Sequence, residues 1–513
     1  KGLFNKTVFN SSIKEFFSKK EELSDYFDES IEGDIFDYIP PQETNQIYTP
    51  KVVVKMMVDL LEKENPQIFR SKNKKFIDLY TKSGLFITEI ITRLFNGIKD
   101  QIPDEHQRLK WIIENQVYAV APTNIIYNIA KNFIMGNFEG ISDKNIVEYD
   151  LTKAAEKGKV AEKLNELYGG KNLKFDVVIG NPPYQETISK HSGNKSLAKQ
   201  LFPMFTKEAI ELNSRYVSLI IPARWFAGDA QDKSFVRLRE YLRQNNHIKQ
   251  MYYFEDAREI FPNVEIKGGV CYFLYDKEYN GTVNFYNSLK GKVLLTKRNL
   301  FVDDLDIILT SSIDLHILEK VLSSKFTSLT SITKGRNAFG IIGKDEHVAS
   351  ISEDSPFDGS CELRCKFNEI RYIKPELVQK NKDIFENYKV FISKSAGAPG
   401  KDKKVIGYPY VGLKNTACTD SLIPIGNFDN EIEAINLQKY LKTKFLRYLV
   451  SIVKSSQNVT QIVYRFVPLQ DFTPDSDIDW TKSASQIDQK LYEKYGLSDE
   501  EIQIIEETVE SID

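Results

Sequence analysis

Phe175-Asp176-Val177-Val178-Ile179-Gly180-Asn181-Pro182-Pro183-Tyr184 is the stretch that decides the fold. A β-branched run that ends in Asn-Pro-Pro-Tyr reads as a buried strand that stops abruptly. The two prolines remove backbone donors, and neither a helix nor a central strand continues through them. The strand therefore delivers four special residues to its own carboxyl end. In an open α/β sheet that end is where ligands bind, close to the point at which strand order reverses. Asn181 offers an amide oxygen there. The carbonyl of Pro182, followed by a proline without an N–H, offers a second acceptor. Two converging acceptors suit a planar amino group, and Tyr184 adds a flat face for a ring.

By chance the tetrapeptide arises in about one chain in a thousand of this length, so a simple strand terminator is the weaker reading. Asn-Pro-Pro-Tyr after an apolar strand resembles the catalytic motif of amino-group methyltransferases that use S-adenosylmethionine. The resemblance is above all to the adenine-N6 DNA methyltransferases of restriction-modification systems. It implies catalytic roles for Asn181, Pro182, Pro183 and Tyr184. Methyltransferases of glutamine side chains and of RNA adenines carry the same four residues, and the motif alone does not choose among them.

Upstream, Tyr48-Thr49-Pro50 precedes a run with helical spacing of Val53, Met56, Met57, Leu60 and Leu61. Thr49 is expected to cap that helix, with Pro50 in its first turn. Tyr-Thr-Pro in this place resembles the segment that touches the methionine end of the cofactor in the same methyltransferases. Next, residues 76–86 read as strand, Ser-Gly loop and helix start, the opening unit of a cofactor-binding α/β domain. The family pattern there is Asp-Pro-x-x-Gly-Ser-Gly-x-Phe. This chain keeps Asp78, Ser83, Gly84 and Phe86, and places Leu79 for the proline and Lys82 for the first glycine. Lys82 either pairs with the cofactor carboxylate or crowds its pocket. The strand at residues 117–121 should end in an acid for the ribose hydroxyls, yet Pro122-Thr123-Asn124 follows. Thr123 or Asn124 is the neutral substitute. Asp150, after a strand at 145–149, resembles the acid that accepts from the cofactor's adenine amino group.

Downstream, residues 189–199, with His191, Gly193 and Lys195, form a polar loop. A helix at 201–212 and a strand at 216–221 lead into Pro222-Ala223-Arg224-Trp225-Phe226. Pro-x-Arg-Trp resembles a further motif of the same family, with Arg224 and Trp225 facing DNA at the target pocket. From about residue 279 the pattern changes to short alternating strands and turns. Lys389, Lys394, Lys401, Lys403 and Lys404 surround a Gly/Pro loop and are expected to meet phosphates. A long amphipathic helix is expected over 431–453, a strand-like return over 463–468, and a last helix opened by Ser498 and Glu501 as a capping box.

The 513 residues leave room for two or three domains. Net charge is only −3, so any basic surface is local. Four scattered cysteines, Cys271, Cys361, Cys365 and Cys418, indicate a reducing compartment rather than a disulfide framework, and no second Cys or His pair follows at zinc spacing. No apolar run reaches membrane-spanning length, so the expectation is a cytoplasmic protein without a membrane partner. The resemblance, taken with these features, implies three parts. Residues 1–45 are a helical arm, with a helix over 12–23. Residues 46–285 are a seven-stranded class I S-adenosylmethionine-dependent methyltransferase domain of α/β type. Residues 286–513 are a C-terminal α+β target-recognition domain for double-stranded DNA; the methylase part of a larger restriction enzyme, its nuclease upstream or in a companion subunit, is one alternative. A degenerate DNA-binding scaffold is the other alternative, favoured by Lys82 and the missing ribose carboxylate.

Overall fold

The computed structural model describes residues 27, 47–136, 138–170, 173–187, 198–228, 230, 232–262, 264–289, 291–302, 305–397, 402–454 and 457–512. The expected helix over 12–23, most of the polar loop at 189–199, and Lys401 lie outside the described residues. The chain divides into two compact units, Lys1–Ile308 and Leu309–Asp513.

The first unit is α/β. Its strands are β1 (Phe76–Asp78), β2 (Val117–Ala121), β3 (Ile146–Glu148), β4 (Val177–Gly180), β5 (Tyr216–Pro222), β6 (Ile248–Phe254), β7 (Val270–Asp276), β8 (Val283–Leu289) and β9 (Lys292–Arg298). They form one mixed sheet in the order β9-β8-β6-β7-β5-β4-β1-β2-β3. Strands β1 to β5 pair in parallel, and β7 enters antiparallel between β5 and β6. The sheet therefore has nine strands where seven were expected, because the β8–β9 hairpin extends it beyond residue 285.

Every residue of β1, β2, β4, β5 and β7 is buried. A parallel sheet covered on both faces requires such runs. Alternation sorts them: Val177 and Ile179 pack with one apolar layer, Val178 with the other. The first layer holds helices α1 (Lys51–Glu64), α2 (Leu85–Gly97), α3 (Glu105–Asn115) and α4 (Asn124–Met135), whose buried residues recur every three or four positions.

From β1 the chain winds outward through β2 and β3, then crosses back to place β4 on the other flank of β1. The strand order reverses there, and the carboxyl ends of β1 and β4 lie side by side. They approach so closely that a Cβ on Gly180 would sit 2.5 Å from Asp78 Oδ1. Gly84 meets a related demand. It opens α2 at φ +89°, in the left-handed region, with Ile134 against it.

The second unit is α+β among its described residues. One three-stranded sheet sets Cys361–Arg364 between Ile370–Ile373 and Thr416–Cys418; another sets Tyr388–Ser393 between Tyr410–Gly412 and Leu422–Phe428. The long helix expected over 431–453 is two, Glu431–Lys442 and Lys444–Val453. Thr443 breaks it with extended backbone, and its hydroxyl caps the second helix by accepting from Leu446 N–H. The buried Asp488 carboxylate, raised by burial to about 7, accepts from the N–H groups of Lys444 and Phe445. Residues 461–464 form a 3-10 turn in place of the expected strand. Ser498 and Glu501 do form the capping box.

Lys389 requires a correction. It is fully buried, and its ammonium donates to the carbonyls of Phe385, Asn387 and Leu413 at 2.8–3.0 Å. All three donors are used inside the fold, so Lys389 does not reach DNA. Lys394 is tied to Asp420 at 3.0 Å, whereas Lys403 and Lys404 are exposed.

Two substitutions test this packing. Gly180→Ala forces the Asp78 carboxylate aside and is expected to destabilise the first unit by about 1–3 kcal/mol, read from urea unfolding. For Lys389, burial lowers the amine to about 7, while the unfolded chain holds its proton to about 10.4. The unfolded state then binds more protons between these values, so stability relative to Lys389→Met rises with pH across that window.

Candidate functional site

The expected site residues follow the carboxyl ends of four adjacent strands. Thr123 follows β2, Asp78 ends β1, Asn181 follows β4 and Asp150 follows β3. Asn181 is only 3% exposed. Its side-chain nitrogen donates to the Ile47 carbonyl at 3.1 Å and to Thr49 Oγ1 at 3.0 Å. A carbonyl only accepts, so the amide nitrogen must face Ile47 and the oxygen must point elsewhere. That oxygen, Oδ1, is buried and makes no hydrogen bond among the described residues. A buried acceptor left unpaired costs about 1–3 kcal/mol. Sites that keep one generally have a use for it.

Thr49 is thus turned into the protein. The expectation that it caps α1 is not met: the residue in the cap position is Pro50, and no side chain caps the helix.

Lys82 lies beside this network and is 6% exposed. Its Nζ donates to the same Ile47 carbonyl at 2.9 Å and sits 6.0 Å and 5.8 Å from the rings of Tyr80 and Tyr184. No carboxylate pairs with it at salt-bridge distance among the described residues. Burial lowers its amine to about 7, with the Asp78 charge opposing. Asp78 is buried too, and burial raises its carboxyl to about 7 against the Tyr80 N–H that it accepts at 3.0 Å, the Lys82 charge and a Thr81 hydrogen bond. Tyr184 is buried, and burial raises its phenol well above the ordinary value while the adjacent Asn181 side chain draws it back down.

The remaining loop residues have local tasks. Ser83 Oγ accepts from Leu85 N–H at 3.3 Å and so opens α2. Phe86 is 5% exposed and packs in the apolar layer. Tyr48 is half-buried, and burial raises its phenol. Thr123 caps α4, its hydroxyl accepting from Ile126 N–H at 3.4 Å. Asp150 is exposed, with Oδ1 accepting from Thr152 N–H at 2.9 Å.

Three participants were not foreseen: the Ile47 carbonyl, the fit of Gly180 against Asp78, and Glu148. Glu148 ends β3, level with Ala121 of β2, and accepts from the Asn124 amide at 2.8 Å. An acid therefore does stand beside the end of β2, supplied by the neighbouring strand. Its sequence signal was an acid two residues before Asp150.

Arg224 and Trp225 part company. Arg224 is exposed in the 3-10 turn after β5, its guanidinium 5.7 Å from the Phe235 ring. Trp225 is fully buried against Phe226, its carbonyl held by Arg239. The expectation that Trp225 meets DNA is corrected: the turn that exposes one residue buries the next.

The chain is 27% identical over 369 residues to an "Uncharacterized adenine-specific methylase" of Mycoplasma pneumoniae, a match that covers 60% of this chain and 85% of that protein. It is 27% identical over 197 residues to "Type II restriction enzyme and methyltransferase RM.Eco57I" of Escherichia coli. This second match covers 35% of this chain and 19% of that longer protein. Among solved structures it aligns with the Type IIL restriction-modification enzyme MmeI in complex with DNA at a TM-score of 0.49 and 11% identity, over 92% of this chain and 80% of that one. The type IIG restriction endonuclease BpuSI aligns at a TM-score of 0.40 and 13% identity, over 89% and 62%. The family model described as "Eco57I restriction-modification methylase" matches residues 115–261. The matched segment runs from β2 to the turn after β6 and contains Asn181.

Proposed function

We propose that the chain transfers a methyl group from S-adenosylmethionine to the N6 amino group of adenine in double-stranded DNA, as part of a restriction-modification system. The observation that carries this is the Asn181 amide. Its nitrogen is anchored and its buried oxygen is left without a partner at the strand end where β1 and β4 meet. The exocyclic amine of adenine is a poor nucleophile because its lone pair is delocalised into the ring. Asn181 Oδ1 and the Pro182 carbonyl, accepting its two hydrogens, localise that pair and aim it. The base must leave the duplex to reach them, and Tyr184 is the face on which it stacks. Arg224, Lys403 and Lys404, exposed, are the candidates for phosphate contact.

The residues fit the cofactor. Lys82 is a buried amine with one hydrogen-bond acceptor and, among the described residues, no carboxylate at salt-bridge distance, which suits a carboxylate ligand. Tyr48 and the α2 amino terminus stand at the same end. Thr123, Asp150 and the Asn124–Glu148 pair offer polar groups for the nucleoside end. The bound cofactor supplies an activated methyl group, and no covalent nucleophile on the protein is needed. In this reading the first unit is a class I methyltransferase fold extended by a hairpin. The second unit recognises the target sequence, and any nuclease lies in another segment or subunit.

Asn181→Ala is expected to keep DNA affinity within about threefold and to lower methyl transfer by 10²-fold or more, scored as N6-methyladenine after digestion of unmethylated DNA. Normal turnover by that variant would falsify the assignment. Lys82→Met is expected to weaken S-adenosylhomocysteine by about 10- to 100-fold, the worth of a hydrogen bond to a charged group. Its affinity for 5′-methylthioadenosine, which lacks the carboxylate, stays unchanged by calorimetry. Equal losses for both ligands count against the pairing.

A further inference from the structure

We infer that Thr49 is a positioning residue for Asn181: with the Ile47 carbonyl it holds both amide hydrogens, so that the amide oxygen alone faces the incoming amino group. This rests on the proposed methyl transfer and assigns Thr49 a task beyond a cofactor contact. The Ile47 carbonyl decides which end of the amide faces inward, because an oxygen turned toward it would oppose a second lone pair. It does not by itself fix the rotation of the amide plane. The Thr49 hydroxyl supplies the second point, at 3.0 Å against 3.1 Å for the first. Two anchors on one nitrogen define a plane, and Oδ1 is fixed as a consequence.

The surroundings make this anchor specific. Thr49 is 5% exposed, so water does not replace its hydroxyl. Ile47 O already accepts from Lys82 Nζ as well as from Asn181, and with both lone pairs used it has no capacity for the amide's second hydrogen. Without the hydroxyl, one Asn181 N–H would lose its acceptor and have only the neighbouring Tyr184 hydroxyl to turn to, and rotation of the amide is how it would reach it. Pre-organisation of a single acceptor matters most in the transition state, when the amine hydrogens become more acidic. Loss of the hydroxyl should therefore appear in turnover rather than in ligand affinity.

Thr49→Val, which keeps shape and removes the hydroxyl, and Thr49→Ser, which restores it, make the test. The expected result for Thr49→Val is a roughly tenfold lower kcat, with KM for DNA and calorimetric affinity for S-adenosylhomocysteine within about twofold of wild type. Thr49→Ser recovers most of the rate. A second readout needs no turnover. In protein labelled with side-chain 15N asparagine, the Asn181 NH2 pair is the one lost in Asn181→Asp. In wild type it is expected to exchange slowly with solvent. In Thr49→Val one of its two protons shifts and loses protection, and Thr49→Ser restores it.

An unchanged kcat with weakened S-adenosylhomocysteine would overturn the inference in favour of a direct cofactor contact, as would an Asn181 pair unaltered by Thr49→Val. If wild type fails to methylate adenine while the Asn181 pair responds as expected, the positioning stands and the proposed reaction falls.

Discussion

The parallel pairing of β1 with β4 is the constraint on which the site depends. Phe76 and Ile77 register against Val177 and Val178, which sets Asp78 level with Ile179 and its carboxylate against Gly180. No side chain fits between them, since a Cβ at 180 would meet the Asp78 carboxylate at 2.5 Å. Asp78 has to lie within its strand end and bond to its own loop, which it does through Tyr80 N–H. That loop delivers Lys82. The next residue on the other strand is Asn181, and the prolines after it forbid further pairing. One backbone register thus brings an acid, a base and an amide to the same edge of the sheet.

That edge is electrostatically unusual. Asp78 and Lys82 are each almost completely removed from water, and burial moves both toward neutrality, to about 7. Their mutual attraction opposes the shift without cancelling it. Burying charges to brace a fold is a poor strategy, because desolvation consumes most of the Coulombic gain. Groups held in this way at a strand end are more often reserved for a ligand. The unpartnered Asn181 oxygen belongs to the same pattern: apolar surroundings strengthen whatever hydrogen bond it eventually makes. Lys389 offers the internal contrast. It too is buried and shifted, but three carbonyls saturate it and nothing remains to offer a ligand.

The strands around Asn181 were legible because each is short, apolar on both faces and bounded by turn residues. Glycine at 84 and the two prolines after Asn181 announced where backbone is forced to turn. The β8–β9 hairpin was harder to assign. Lys292–Arg298 exposes Val293, Leu294 and Leu295, so its composition carries no inward-outward alternation. Trp225 and Lys389 failed for one reason: residue type suggested a surface role, while burial is set by neighbours distant in sequence, such as Arg239 for the first and Leu413 for the second. Glu148 escaped notice because the partner strand that brings it level with the end of β2 is invisible to a local reading.

Thr49 shows how such a local reading is overruled. A threonine before a proline and a helical run is a good cap, worth about 1 kcal/mol. At this amino terminus the gain is small: Pro50 has no N–H, and Val52 is 62% exposed, so water serves the first turn. Within the protein the alternative is an Asn181 hydrogen deprived of its buried hydroxyl acceptor, at about 1–3 kcal/mol. The larger penalty prevails, and the hydroxyl turns inward. The free energy forgone at the helix end reappears as the orientation of an amide 132 residues further along the chain, a coupling that local sequence around either residue does not contain.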